Sequence, residues 1–312
     1  MLPQQPARAA QWVSAVICTR NRPDLIGTAV QSVLANAYPS FDLLVVDQST
    51  DGRTGEIVRA LQAEHANLRY LHTEKAGLSR AYNIGIRETT GEVLAFTDDD
   101  CVAPREWITS VVGAFTADSE AELMYGQVLL PTALLDKRDD VPTLAIPIAW
   151  RQSRRIAPFQ LYGMGANFAA RRSLFDRIGL FDEVLGGGGP LKSSQDFDLQ
   201  YRAYIAGVTT TYRPEVQIDH YGLRLAEQWP ATDRAYGTGD GAFYTKHARC
   251  GDTYALRLLI AQFVTLGVRE ALHTLGIRRR YSRARYLRGF IAGITGSFAF
   301  RVDRARRMYV AA

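Results

Sequence analysis

The chain has 312 residues and a mass of 34.7 kDa, with 47% hydrophobic and 22% charged residues and a formal net charge of +5. That is an ordinary globular composition, long enough to bury a substantial core in one large domain plus an appendage. The three cysteines, Cys18, Cys101 and Cys250, form no CxxC or Cys/His cluster, which argues against a disulfide framework or a zinc site and for a reducing, cytoplasmic setting.

Residues 1–11 read as a flexible leader, because no long apolar core follows their charge as a secretory signal requires. Val13 to Cys18 is an apolar strand ending in the polar turn Thr19-Arg20-Asn21-Arg22, and Pro23 suits the first residue of a helix that continues through Leu25, Ile26, Ala29, Val30 and Val33. Leu43 to Val46 repeats the strand and runs into the polar turn Asp47 to Gly52, with a second helix marked by Ile57, Val58 and Leu61. Leu68 to Leu71 gives a third strand and Leu78 to Glu88 a third helix, carrying Arg80, Asn83 and Gly85. Val93 to Phe96 is the fourth strand, and Glu106 to Phe115 and Met124 to Leu130 add a helix and another strand. Alternation of this kind predicts a parallel, doubly wound α/β sheet with right-handed crossovers.

The fourth strand drives straight into Asp98, Asp99 and Asp100. Three adjacent carboxylates repel one another unless a cation or hydrogen-bond donors neutralise them. Hard oxygen ligands favour Mg²⁺ or Mn²⁺, and ligands of open α/β sheets bind beyond the carboxyl ends of the strands. The competing reading is a solvated acidic loop that caps the helix opened by Pro104.

Pro131 to Pro158 shows no clear period and reads as a long loop or lid. Order returns in the segment from Tyr162 through Gly165-Ala166-Asn167 to Arg172, followed by an amphipathic helix through Phe175 and Ile178. Gly186 to Gly189 form a loop able to approach a ligand or swing. Ser194-Gln195-Asp196-Phe197-Asp198 then opens a helix through Tyr204, and Val208 to Tyr212 and Val216 to Ile218 read as two short strands before Asp219-His220.

In these motifs, taken in order from about Val13 to His220, the chain resembles the family 2 glycosyltransferases, which have the GT-A nucleotide-sugar-binding fold. The resemblance implies a Rossmann-like, mostly parallel central sheet flanked by helices: a nucleotide-sugar-binding half (12–130), an acceptor-binding and catalytic half of the same domain (131–222) and a helical, basic C-terminal extension (223–312). Thr19 and Arg20 would line the donor site. Asp47 would accept the N–H of a uracil-like base, against the alternative of an Asx turn. Lys75 and Arg80, near a helix N-terminus, would face the diphosphate of a nucleoside-diphosphate sugar, with simple exposure as the alternative for Lys75. Asp98 and Asp100 form the DxD pattern, with Asp98 and Asp99 toward the nucleotide sugar, Asp98, Asp100 and His220 toward Mn²⁺ or Mg²⁺, and the true ligand among the three aspartates left open. Asn167 would lie near a sugar.

Asp196 would be the catalytic base of an inverting transfer, taking the proton of the acceptor hydroxyl; the alternative is a helix cap. The family's usual pair is Glu-Asp, and Gln195 in place of the Glu removes a charge that would raise the pKa of Asp196. No QxxRW pattern follows Asp196, so transfer of a single sugar to a glycan or lipid-linked acceptor is expected. A sugar nucleotidyltransferase is the rival enzyme, although Thr19 to Pro23 supplies no glycine- and basic-rich signature.

Beyond His220, Tyr236-Gly237-Thr238-Gly239, Gly241-Ala242-Phe243 and Lys246-His247 read as a loop and helix start. From Arg278 to the end there are ten arginines and one acid, Asp303, a charge of +9, so residues 1–277 carry −4. The apolar stretches Leu258 to Val268 and Gly289 to Phe300 are too short to span a bilayer, which takes about 20 residues. Flanked by arginine they suit the anionic inner face of a cell membrane, peripherally bound. The alternatives are packing on protein and a non-catalytic binding protein with a basic tail. Aromatic residues are too sparse in the tail for a nucleic-acid partner.

Overall fold

The computed structural model describes residues 11–152, 159, 163–276 and 283–310, and of Asp139 only the backbone. Expectations on the leader, on Pro158, on Tyr162 and on the arginines at 278–280 fall outside those residues.

Strand β1 (Val13–Thr19) is buried along its whole length, as an unbroken apolar run must be when helices cover both faces of the sheet. It pairs in parallel with β2 (Phe41–Asp47) on one side and β4 (Val93–Asp98) on the other, and β3 (Leu68–His72) extends the row beyond β2. Helices α1 (Pro23–Leu34), α2 (Arg53–Gln62) and α3 (Leu78–Glu88) make the connections. Pro23 opens α1, where a missing N–H costs nothing.

The parallel order breaks after β4. Antiparallel β8 (Asn167–Arg171) lies between β4 and β6 (Ala121–Leu129), and β9 (Thr209–His220) runs parallel to β6. Two short strands, β5 (Cys101–Val102) and β7 (Trp150–Gln152), pair along β9, giving a nine-stranded, mostly parallel sheet in which eight strands follow the order β3-β2-β1-β4-β8-β6-β9-β5 and β7 joins β9 off that row. Because β8 comes from the second half of the chain and sits between strands of the first, the halves divided at residue 130 share one sheet. Helices α4 (Trp107–Ala117), α5 (Ser173–Ile178) and α6 (Gln195–Ile205) complete its flanks.

Two readings of this region are corrected. The two expected strands are one, β9, with an irregularity: the register with β6 jumps from Arg213 to Gln217, and Pro214, which cannot donate to the ladder, sits in the gap. The stretch expected to be a loop from Pro131 contains a 3₁₀ segment (Thr132–Asp140) and β7, which its proline-rich sequence concealed.

The C-terminal extension consists of α7 (Trp229–Arg249), α8 (Thr253–Thr274), α9 (Ala284–Ser297) and a hairpin of β10 (Arg301–Asp303) and β11 (Met308–Val310). The glycine-punctuated stretch expected to be a loop is the middle of α7. Its glycines are there for close approach: a Cβ on Gly241 would stand 2.1 Å from the Phe290 carbonyl oxygen, and one on Gly293 of α9 would stand 2.0 Å from that of Thr238. The two backbones touch. Among the described residues no helix is long and apolar enough to cross a membrane.

Candidate active site

The sheet register puts the expected residues at one edge. Thr19 ends β1 opposite Asp47 of β2, Cys18 stands opposite Asp98 of β4, and Cys101 of β5 stands opposite His220 of β9. Asp99 and Asp100 are buried and Asp98 is half-buried. Thr19 Oγ1 donates to Asp99 Oδ2 at 2.7 Å, and Arg22 Nη1 donates to Asp99 Oδ1 at 2.8 Å and to Asp100 Oδ2 at 2.6 Å. His220 Nε2 is 3.2 Å from the other oxygen of Asp100, and Tyr82 Oη lies 3.4 Å from Asp98 Oδ1.

These partners divide the trio. Burial, then the neighbouring Asp100, pushes Asp98 up to about 7. Burial would also raise Asp100, but His220 and Arg22 outweigh it and hold the carboxyl down at about 2. Burial lowers His220, and the bond to Asp100 more than restores it, leaving the imidazole raised. Asp99 is raised by burial against the pull of Arg22 and Thr19. It is the member tied into the wall.

Two cavities meet at this edge. A 330 Å³ cavity is lined by Thr19, Arg20, Arg22, Gln48 and the aspartate trio. A 520 Å³ cavity is lined by Tyr82, Gly165, Asp196, Tyr236, Asp240 and Tyr286. Leu78, Asp98, Gly187 and Arg224 belong to both, so the aspartate trio and Asp196 open onto one continuous cleft. The glycine run, read as able to approach a ligand or swing, lines the smaller cavity through Gly187 and Gly188 and is stitched in place: Leu78 N donates to Gly187 O at 2.7 Å and Ser79 Oγ to Leu185 O at 2.7 Å. Gly186 and Gly188 have φ of +97° and +77°, which other residues rarely adopt, and Gly188 passes against Gly77.

Asp196 lies in the first turn of α6. Its Oδ2 accepts from Gly165 N at 3.1 Å and its Oδ1 from Phe197 N at 3.0 Å. These bonds favour the charged form, yet burial outweighs them and raises the pKa. Gln195 adds no charge beside Asp196, so the rise comes from desolvation and not from a neighbouring carboxylate. Ser194 caps nothing. It stands at the N-cap with a left-handed φ of +69°, and its hydroxyl donates instead to Asp240 Oδ1 at 2.6 Å. Asp240 also accepts from Tyr286 Oη, and burial pushes it up to about 6.

Five expected residues do not line either cavity; one of them, His220, meets the site through Asp100. Asp47 is fully buried and committed to the Asx-turn alternative: its oxygens accept from Ser49 N and Tyr70 Oη, both at 2.8 Å. Lys75 is exposed, and its carbonyl serves Gln48. Arg80 turns to Glu183 at 2.6 Å, where a nearby carboxylate satisfies the charge expected for phosphate. Asn167 spends its side chain on Trp107 Nε1, Gln127 O and Val216 O, locking β8 to β6 and β9.

Other site residues escaped sequence reasoning. Gln48 lines the cleft and exchanges hydrogen bonds with Gly77 N and Gly77 O, fixing the loop before α3. Arg22 was visible in the first polar turn. Arg224 follows His220 closely, but only folding shows that it lines both cavities.

The donor set suits a hard cation in part. Asp100, Cys101 and His220 are buried with ligand atoms within 4.8 Å of one another, and Asp98 opens onto the same cleft. The carboxylate and imidazole match Mn²⁺ or Mg²⁺ chemistry, whereas the Cys101 thiol, raised well above its ordinary value by burial, is not a ligand for such an ion.

A sequence model described as Glycosyl transferase family 2 matches residues 14–179, more than half of the chain. Glycosyltransferase AglE of Haloferax volcanii is 31% identical over 120 residues, 38% of this chain and 39% of that protein. The probable glycosyltransferase YdaM of Bacillus subtilis is 24% identical over 265 residues, 81% of this chain and 58% of that protein. The chain thus spans between two fifths and three fifths of the length of these curated relatives. Among solved structures, mannosyltransferase PcManGT from Pyrobaculum calidifontis, in complex with GDP-Man and Mn²⁺, has the same fold with a TM-score of 0.62 at 19% identity, covering 95% of this chain and 91% of that one.

Proposed function

The chain belongs to glycosyltransferase family 2, and from that premise we propose that it is an inverting, metal-dependent enzyme that moves one sugar from a nucleoside-diphosphate sugar to an acceptor hydroxyl. The observation that carries this reading is the shared cleft, with Asp98 on the wall of both cavities and Asp196 on the second. The donor is proposed as a class. Asp47, on which the uracil expectation rested, is spent on its own turn.

The smaller cavity takes the diphosphate, since Arg20, Arg22 and Arg224 bring positive charge to its wall. Asp100 and His220 would hold Mn²⁺ or Mg²⁺, which when bound offsets the negative charge gathering on the leaving diphosphate. The larger cavity takes the acceptor, a glycan or lipid-linked hydroxyl. Asp196 accepts the hydroxyl proton as the oxygen attacks the anomeric carbon and the bond from that carbon to the diphosphate breaks on the opposite side. Its raised pKa makes it a stronger base than a solvated carboxylate. Gly165 N and Phe197 N hold the carboxylate in place.

A panel of nucleotide sugars, each incubated with an alcohol acceptor and Mn²⁺, tests the reading. Release of a nucleoside diphosphate supports it. Release of a sugar 1-phosphate, the group expelled when the nucleotidyl group is the one transferred, would assign the chain to nucleotidyl transfer instead.

A further inference from the structure

Helix α8 has the composition of a core helix and the exposure of a surface one. Of its 22 residues only Ala255 and Leu266 are buried. Leu256, Ile260, Phe263, Val264 and Val268 expose between 44% and 54% of their surface, and Leu275, just past its end, 71%. At about 100° per residue these side chains fall on one arc of the helix roughly 140° wide. The only charged residue on that arc is Arg257, and no carboxylate lies there. A continuous apolar stripe of this kind marks an interaction surface.

Charge selects the occupant. Arg257 on the stripe itself is exposed, Arg283 is held at the end of α8 by its backbone N–H on Glu270 at 2.8 Å, and exposed Arg285 and Arg288 follow on α9. Residues 278–312 carry +9. A second copy meeting this face would bring like charges together, whereas anionic headgroups neutralise them. With no described helix able to cross a membrane, the stripe suits a helix lying in the plane of the interface. The opposite side of α8 carries Gln262, hydrogen-bonded to Tyr286, and Tyr286 lines the larger cavity. Seated on lipid, α8 would separate that cavity from the bilayer by about one helix diameter, ~10 Å.

We propose that α8 seats its stripe from Leu256 to Val268 in the surface of an anionic bilayer, with the flanking arginines on the headgroups. On the transfer reading above, and only on it, this brings the acceptor cavity to a lipid-borne hydroxyl.

The test is co-sedimentation of the full chain with vesicles of phosphatidylcholine alone or mixed with phosphatidylglycerol. No donor or acceptor is present, so docking is read independently of transfer. The wild type should bind the anionic vesicles, and Ile260→Glu with Val264→Glu should weaken that binding roughly tenfold or more at an unchanged melting midpoint. Should that variant not fold, Arg257→Gln with Arg283→Gln reads the same claim by weakening binding to anionic vesicles only. The proposal is overturned if the wild type binds neither vesicle, if the variants bind as well as wild type, or if the stripe proves to hold a dimer that ignores lipid.

Discussion

The ammonium of Lys246 on α7 lies 2.6 Å from the carboxylate of Asp198 on α6, and neither side chain is exposed at all. Asp198 also receives Arg202 at 2.9 Å and His247 at 2.8 Å, while Lys246 reaches Asp182 at 2.7 Å. Burial, then Lys246, holds His247 neutral with a pKa lowered to about 4 once the Asp198 bond is counted. Two acids and two bases therefore balance. The hairpin closes the group from outside, with Tyr309 N donating to Asp182 Oδ2 at 2.8 Å.

Removing one member of such a group strands a buried charge. Lys246→Met should cost about 3–5 kcal/mol. Denaturant unfolding checks this, and a midpoint equal to that of wild type would show the network to be dispensable.

The α7 and α9 backbones meet through glycines, so added methyl groups should be punished in proportion to crowding. Gly241→Ala and Gly293→Ala should each cost about 1–3 kcal/mol, because the new Cβ would collide with a backbone carbonyl. Gly113→Ala on α4, where nothing lies within 4 Å, should instead stabilise by roughly 0.5–1 kcal/mol. Thermal melts of the three variants rank them, and equal shifts would contradict close packing as the cause.

Most of the first half of the fold was legible because β1, β2 and β4 are buried on both faces and therefore appear as apolar runs between polar turns. The aspartate trio was legible for the same reason, since it interrupts such a run. What stayed hidden depends on partners distant in sequence. Nothing near Asn167 announces Trp107, and nothing near Arg80 announces Glu183. In α7 the glycines argued locally against a helix, while their use, contact with α9, lies some fifty residues away in the chain.

Asp240 gives a pH signature. An aspartate in the unfolded chain titrates near 4, about two units below the value of about 6 to which burial pushes Asp240. Between those values the folded state keeps a proton that the unfolded state has released. The contribution of this group is thus full below about pH 4, declines as pH rises to about 6, and is flat above. Relative to wild type, Asp240→Asn should gain roughly 2–3 kcal/mol across that window. Urea unfolding from pH 4 to 7 reads the difference, and parallel curves would refute it.

Asp196 and the aspartate trio share one cleft, and the most direct measurement of what that cleft does is the transfer rate of Asp196→Asn set beside its affinity for a nucleoside diphosphate with Mn²⁺. Loss of the base should slow transfer by ~10²–10⁴ while affinity stays at the wild-type value. Transfer at the wild-type rate would contradict the assignment.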